Sequence, residues 1–233
     1  MKYLILDAGG VLVYPRLGEW HIPCRAVEIL GAERAKSLST DQFRLVHQRC
    51  MRWLDESRLV IDRDTERLLR TGFVMELDRG MHWHMTDAEI RDMADDFTDN
   101  LERYGLFDDV TGWLEAWSKR YTLGLLSDAM PSMLDFLGQF GIDGYFKRQV
   151  ISTHVGATKP DMRMYQAILH ALDADPGECL FADDRLDNVQ GAVRAGMKAV
   201  QLSRPEFPAK QLWDGPVVNS FAALNDLLAK EML

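Results

Sequence analysis

Leu4-Ile5-Leu6-Asp7-Ala8-Gly9-Gly10-Val11-Leu12 is the stretch that decides how this chain is read. An apolar run with the composition of a β-strand delivers a carboxylate, and two glycines then let the backbone turn tightly beside it. Alone, the segment is equally a strand followed by a glycine-rich turn in which Asp7 is a local cap. The rest of the chain separates the two readings. Further β-rich runs bounded by Gly, Asp or Ser fall at 121–126, 149–152, 179–182 and 198–202, and the first run covers 2–6. Helical patterns lie between them; Tyr165, Ile168, Leu169 and Leu172 are spaced for one helix face. Strands alternating with helices predict an α/β fold with a parallel sheet covered on both sides.

The interval from about Pro15 to Gly105 has a different texture. It holds no convincing strand run. Val46, Cys50, Trp53 and Leu54 share one helix face, and Ile90, Met93, Phe97, Leu101 and Tyr104 share another. Thr86 with Glu89 forms the pattern of a capping box for the second of these helices. One strand therefore comes first, then a helical insert, then the rest of the sheet. The expected division is a core of residues 1–15 and 106–233 and a helical domain of residues 16–105. An insert after the first strand is expected above the carboxyl edge of the sheet, where open α/β sheets bind ligands and where a lid belongs.

Composition narrows the function classes. The 233 residues carry a net charge of -9, which repels phosphodiester backbones and disfavours general nucleic-acid binding. A small phosphate ester is still compatible, because a local metal and a lysine can override the global field. The odd count and wide spacing of Cys24, Cys50 and Cys179 argue against a disulfide framework and against a zinc site. No apolar run approaches a membrane span, and the run ending in Asp7 is too short for a signal peptide. A cytoplasmic protein without a membrane partner is expected. Oligomeric state is not legible.

Three more segments carry chemistry. Leu125-Leu126-Ser127-Asp128 ends an apolar run in a hydroxyl, Thr158-Lys159-Pro160 places a lysine in a loop stiffened by the proline that starts the next helix, and Leu180-Phe181-Ala182-Asp183-Asp184 ends a strand in two adjacent carboxylates. Two like charges at one sheet edge repel, and a divalent cation is the usual remedy. Taken singly, the serine is an ordinary strand end and the lysine an ordinary surface charge. In order along one sheet, the four sites converge on one edge.

This constellation resembles the haloacid dehalogenase-like hydrolases. Their motifs are Asp-x-Asp-Gly-(Thr/Val), a strand-terminal Ser or Thr, a Lys and an acidic pair; the matches here are Asp7, Ser127, Lys159 and Asp183-Asp184, followed by Gly191-Ala192 and Ala195-Gly196. The resemblance implies a Rossmann-like three-layer core with an inserted α-helical cap domain. It implies a magnesium-dependent phosphatase that acts on a small phosphate monoester, a sugar phosphate among the candidates, through an aspartyl-phosphate. Asp7, Ser127 and Lys159 would be catalytic. Gly10, Ser127, Asp128 and Lys159 would bind the substrate. Mg²⁺ would be held by Asp7, the Gly9 carbonyl, Asp183 and Asp184. Asn188 falls near the family's last acidic position and would support the metal ligands, whereas Asp187 is expected to cap a helix or face solvent.

One position departs from the pattern. The family usually carries a second Asp two residues after the nucleophile as general acid and base, and here that position is Gly9. Three outcomes stay open: a substrate with a good leaving group, a proton donor from the helical insert, or a chain that binds phosphorylated ligands without turning them over. Related chemistries stand third. Phosphonatases of the superfamily use a Schiff-base lysine in the cap, and Lys36 is the only lysine between Gly18 and Gly105 in a segment that reads as exposed; haloacid dehalogenases put an aromatic residue at the Gly9 position. Of the insert's histidines, His82 and His84 read as a solvated loop, and His21 is the better candidate donor. The tryptophans read as core.

Overall fold

The computed structural model describes residues 1–17, 19–56 and 60–230. The ends of the expected ranges at 231–233, and positions 18 and 57–59 within the helical range, lie outside the described residues. In chain order the elements are β1 (Tyr3–Leu6), β2 (Val13–Pro15), α1 (Ala26–Ala35), α2 (Asp41–Glu56), α3 (Arg63–Met81), α4 (Asp87–Asp99), β3 (Tyr104–Leu106), α5 (Val110–Ser118), β4 (Thr122–Ser127), α6 (Ser132–Gln139), β5 (Phe146–Ile151), α7 (Ser152–Val155), α8 (Met162–Leu172), β6 (Cys179–Asp183), α9 (Leu186–Arg194), β7 (Lys198–Leu202), β8 (Val217–Val218) and α10 (Phe221–Ala229). The chain divides into two compact units: Met1–Tyr14 with Gly105–Leu233, and Pro15–Tyr104.

The first unit is a Rossmann-like α/β core. Its six-stranded sheet has the order β5-β4-β1-β6-β7-β8, and every neighbouring pair is parallel. Leu4, Ile5, Leu6, Leu125, Leu126, Leu180, Phe181 and Ala182 are fully buried, which is why the central strands read as unbroken apolar runs. Register does the rest. Leu6 stands opposite Leu125 on one side and Ala182 on the other. One residue further on are Asp7 and Asp183, and two further on is Ser127, so all three emerge at one edge. Tyr165 and Ile168 of α8 and Val189 and Ala192 of α9 pack on Ile5, Leu126 and Phe181 in one continuous core. Gly191 is required there, because a Cβ would lie 2.3 Å from the Tyr165 hydroxyl. Trp117 of α5 meets Phe221 of α10 with ring centroids 4.8 Å apart.

The second unit is helical. Two of its helices start with a capping box: Asp62 accepts from Thr65 N at 2.9 Å to start α3, and Thr86 accepts from Glu89 N at 3.3 Å while Glu89 accepts from Thr86 N at 2.7 Å to start α4. Phe73 of α3 meets Phe97 of α4 edge-on, with centroids 5.7 Å apart. Val46, Cys50 and Leu54 form the buried face of α2, with Trp53 half-buried beside them.

Several expectations shift. The strand expected at 149–152 starts at Phe146, because exposed Lys147 and Arg148 hide an edge strand from a hydrophobicity reading, and Ser152 belongs to α7. The two-residue β8 is too short to leave a pattern. Leu101 and Tyr104 do not continue the face of α4: Asn100 leaves helical geometry (φ −80°, ψ 105°), and its side chain accepts from Glu102 N at 3.0 Å to start a single 3-10 turn. Pro160 does not start α8, whose N-cap is Asp161. Cys24, Cys50 and Cys179 are free thiols. Among the described residues no helix is long and apolar enough to cross a membrane.

Candidate active site

Lys159 is the centre of the converging edge. Its ammonium lies 2.6 Å from Asp183 Oδ2 and 2.9 Å from Asp7 Oδ1, and donates to the Leu126 carbonyl at 3.0 Å. The approach to Asp7 is an ion pair rather than an aligned hydrogen bond, and Asp7 Oδ1 is left without a hydrogen-bond partner. Asp7, Ser127, Lys159 and Asp183 are all buried. Asp128 is exposed, yet its Oδ1 accepts from the backbone N–H of Lys159 at 2.9 Å and so fixes the lysine loop. Asn188 donates to both oxygens of Asp183 at 3.0 Å. Asp187 pairs with Arg185 at the surface.

Gly10 is the left-handed residue of the loop (φ 70°), and a Cβ there would lie 2.7 Å from Asp184 Oδ2. The second glycine is thus fixed by both backbone and space. Among the described residues Gly9 is not in the positive-φ set, so the requirement for a glycine conformation falls on its neighbour.

Oxygens of Asp7, Asp183 and Asp184 lie within 4.8 Å of one another. Burial, with the Asp183 charge adding to it, pushes the Asp7 carboxyl up to about 6 against the pull of Lys159 and Ser127. Burial and the charges of Asp183 and Asp7 push Asp184 up to about 8. Burial opposes the charge on Lys159, but Asp183, Asp7 and Asp128 outweigh it, and the ammonium is held protonated. One ammonium cannot neutralise three close carboxylates. The donor set is oxygen only, and it fits a hard divalent cation such as Mg²⁺.

Two buried residues that no motif announced brace this edge. Arg204 donates from Nε (3.1 Å) and Nη2 (2.9 Å) to the carbonyl of Val11, lies 2.9 Å from Asp109, and stacks between Phe107 and Phe221 with its Cζ 4.1 and 4.7 Å from the ring centres. Gln201 donates to the carbonyls of Asp184 (2.9 Å) and Gln211 (2.7 Å) and accepts from Trp213 N at 2.7 Å. Arg204 thereby holds the loop after Asp7, and Gln201 the backbone of Asp184. In the helical unit, Lys36 is exposed and paired with Glu33, as read. His82 and His84 are exposed on either side of buried Trp83. His21 is depressed to about 3 by burial and by Arg70, so it is a neutral imidazole at neutral pH.

A parallel sheet whose edge gathers an aspartate, a hydroxyl, a lysine and an acidic pair is the arrangement of an α/β hydrolase. The chain belongs to the haloacid dehalogenase-like hydrolases: the model of that family matches residues 1–196. It is 44% identical over 77 residues to "Phosphatase MT3486" of Mycobacterium tuberculosis, 33% of each chain, and 32% identical over 124 residues to a phosphoserine phosphatase of Thermus thermophilus, 51% of this chain and 50% of the relative. These matches span a third to a half of the relatives' lengths. Among solved structures, an L-2-haloacid dehalogenase from Xanthobacter autotrophicus aligns with a TM-score of 0.67 at 18% identity, covering 98% of both chains. A HAD phosphatase from Thermococcus onnurineus aligns with a TM-score of 0.58 at 20% identity, also covering 98% of both. At these identities the likeness is one of fold.

Proposed function

We infer that this hydrolase is a Mg²⁺-dependent phosphatase acting on a small phosphate monoester. The observation that carries the reading is the buried ammonium of Lys159 held between Asp7 and Asp183, with Asp184 beside them. The names of the phosphatase relatives support it.

In this reading the Asp7 carboxylate attacks phosphorus in line. A bond forms from its oxygen to phosphorus, the ester P–O bond breaks, and the leaving oxygen carries off the electron pair and takes a proton from solvent, Gly9 having none to give. Water then cleaves the aspartyl-phosphate and regenerates Asp7. With its carboxyl at about 6 in the metal-free chain, Asp7 is largely ionised at neutral pH. Lys159 offsets charge on the phosphoryl oxygens, and Ser127 donates to one of them once it turns from Asp7. The Gly10 backbone lines the phosphate site, and Asp128 acts by fixing the loop of Lys159. Asp7, the Gly9 carbonyl, Asp183 and Asp184 would hold Mg²⁺, which supplies charge neutralisation at the phosphoryl group when bound. The helical unit would serve as the cap. A phosphatase screen with and without Mg²⁺ tests this; hydrolysis of no ester in either condition counts against it.

Gly9 favours a second reading, a phospho-ligand binder without turnover. It lacks the proton that the family's usual aspartate gives to the leaving group. A wild type that binds phosphorylated ligands yet stays inert even on aryl and acyl phosphates, which need no such proton, would establish that reading.

A further inference from the structure

Within the unit Pro15–Tyr104, α3 buries a guanidinium that nothing accepts from. Arg70 is 4% exposed, and its Nε and Nη1 are buried without a hydrogen-bond partner. Proteins leave few buried donors in that condition, and a charged one is the costliest kind. Its Cζ lies 4.7 Å from the centre of the Phe97 ring, and the Cζ of Arg103 lies 4.9 Å from the same ring. Arg103 is otherwise engaged, donating to the carbonyls of Phe97 and, at 2.9 Å, of Trp20. Glu66, one turn earlier on α3, acts on Arg70 through space, but its ion-pair approach is to Arg63 Nε at 4.0 Å.

A third nitrogen nearby is also orphaned. His21 Nδ1 is buried without a partner, and His21 lies in the positive field of Arg70 and Arg103. Both guanidiniums lie against the Phe97 ring, and Arg103 reaches the carbonyl of Trp20, the residue before His21, with Glu66 as the opposing charge that Arg70 feels. A stable arrangement of this kind lacks an acceptor. An oxyanion would accept from Nε–H or from Nη1–H of Arg70, which lie on different edges of the guanidinium, while the Nδ1–H tautomer of His21 could donate as well.

We propose that Arg70, with Arg103 and His21 beside it, is an anion site inside the helical unit that takes the carboxylate or phosphate group of a small ligand. None of these residues belongs to the hydrolytic set. The site can be read without Mg²⁺ and without turnover, so it stands or falls apart from the phosphatase reading.

The test is a titration of the full chain, free of Mg²⁺, with inorganic phosphate and separately with acetate. Arginine Nε–H and histidine ring resonances are followed by ¹⁵N NMR, with Arg70 assigned from Arg70→Lys. Saturable shifts of Arg70 and His21 together are expected with at least one anion. A response to phosphate alone identifies a phosphate site, and a response to acetate as well identifies one that accepts carboxylates. In Arg70→Met the apparent affinity read at His21 should fall by about tenfold or more, the scale of a lost charge-assisted contact. Unmoved Arg70 and His21 resonances with both anions would overturn the proposal. So would an unchanged His21 titration in a folded Arg70→Met, since the anion would then sit elsewhere; the wild-type result stands by itself if that variant does not fold.

Discussion

At the scale of single residues, the proposed chemistry rests on two positions. Asp7 sits where β1 ends, within 2.9 Å of Lys159. Asp7→Asn removes the nucleophile while keeping the shape of the side chain, so it should abolish turnover and leave the unfolding transition in place; turnover at the wild-type rate would sink the mechanism. Gly9 is the second position. Because the left-handed conformation belongs to Gly10, Gly9→Asp carries no positive-φ penalty. If the missing acid limits the rate, Gly9→Asp should speed alkyl phosphate hydrolysis by roughly tenfold to a hundredfold, at or below the usual range for general acid help. Aryl phosphates, whose leaving groups need no proton, should gain far less. Equal gains on both would mean that Gly9→Asp acts other than as an acid. His21 is a poor alternative donor, being neutral at working pH.

At the scale of elements, the strand ends were legible and their braces were not. Asp7, Ser127 and Asp183 each close an apolar run, and parallel register carries all three to one edge without any further information. The same logic exposed the capping box of α4. Thr86→Ala should therefore cost about 1 kcal/mol in denaturant unfolding. Arg204 and Gln201 left no trace because both grip backbone carbonyls, which every residue possesses; the partner of Arg204 is 193 residues away in sequence. The end of α4 is hidden in the sequence for a related reason: Leu101 and Tyr104 keep the apolar spacing of α4 although the Asn100 turn has ended it. The brace is testable. Arg204→Met loses both donations to Val11 and should destabilise by about 1–3 kcal/mol, leaving a buried carbonyl unpaired. It should also lower kcat through the loop that follows Asp7. Arg204→Lys, with one ammonium and no planar stack, should recover only part of either loss. Wild-type stability in Arg204→Met would show that the contact is incidental.

At the scale of the whole molecule, the acidic cluster couples stability to pH and to metal. A carboxyl raised to about 8 in the fold holds a proton that the unfolded chain has already released. Metal-free stability should therefore fall as pH rises from the ordinary carboxylate range, about 4, toward 8. Mg²⁺ competes with that proton, so its stabilising effect should grow over the same interval. Melting curves at pH 6 and pH 8, with and without Mg²⁺, check this: the Mg²⁺-induced rise in Tm should be larger at pH 8, and Asp184→Asn should erase most of the difference. A rise independent of pH would remove Asp184 from the metal site. The grip of Arg204 on Val11 also has a meaning in time. A ribosome makes Asp7 long before Arg204, and Arg204 only after every member of the acidic cluster. A growing chain thus carries the whole set of reactive side chains before the clasp on its nucleophile loop exists, and that loop can lock only once Arg204 has been made.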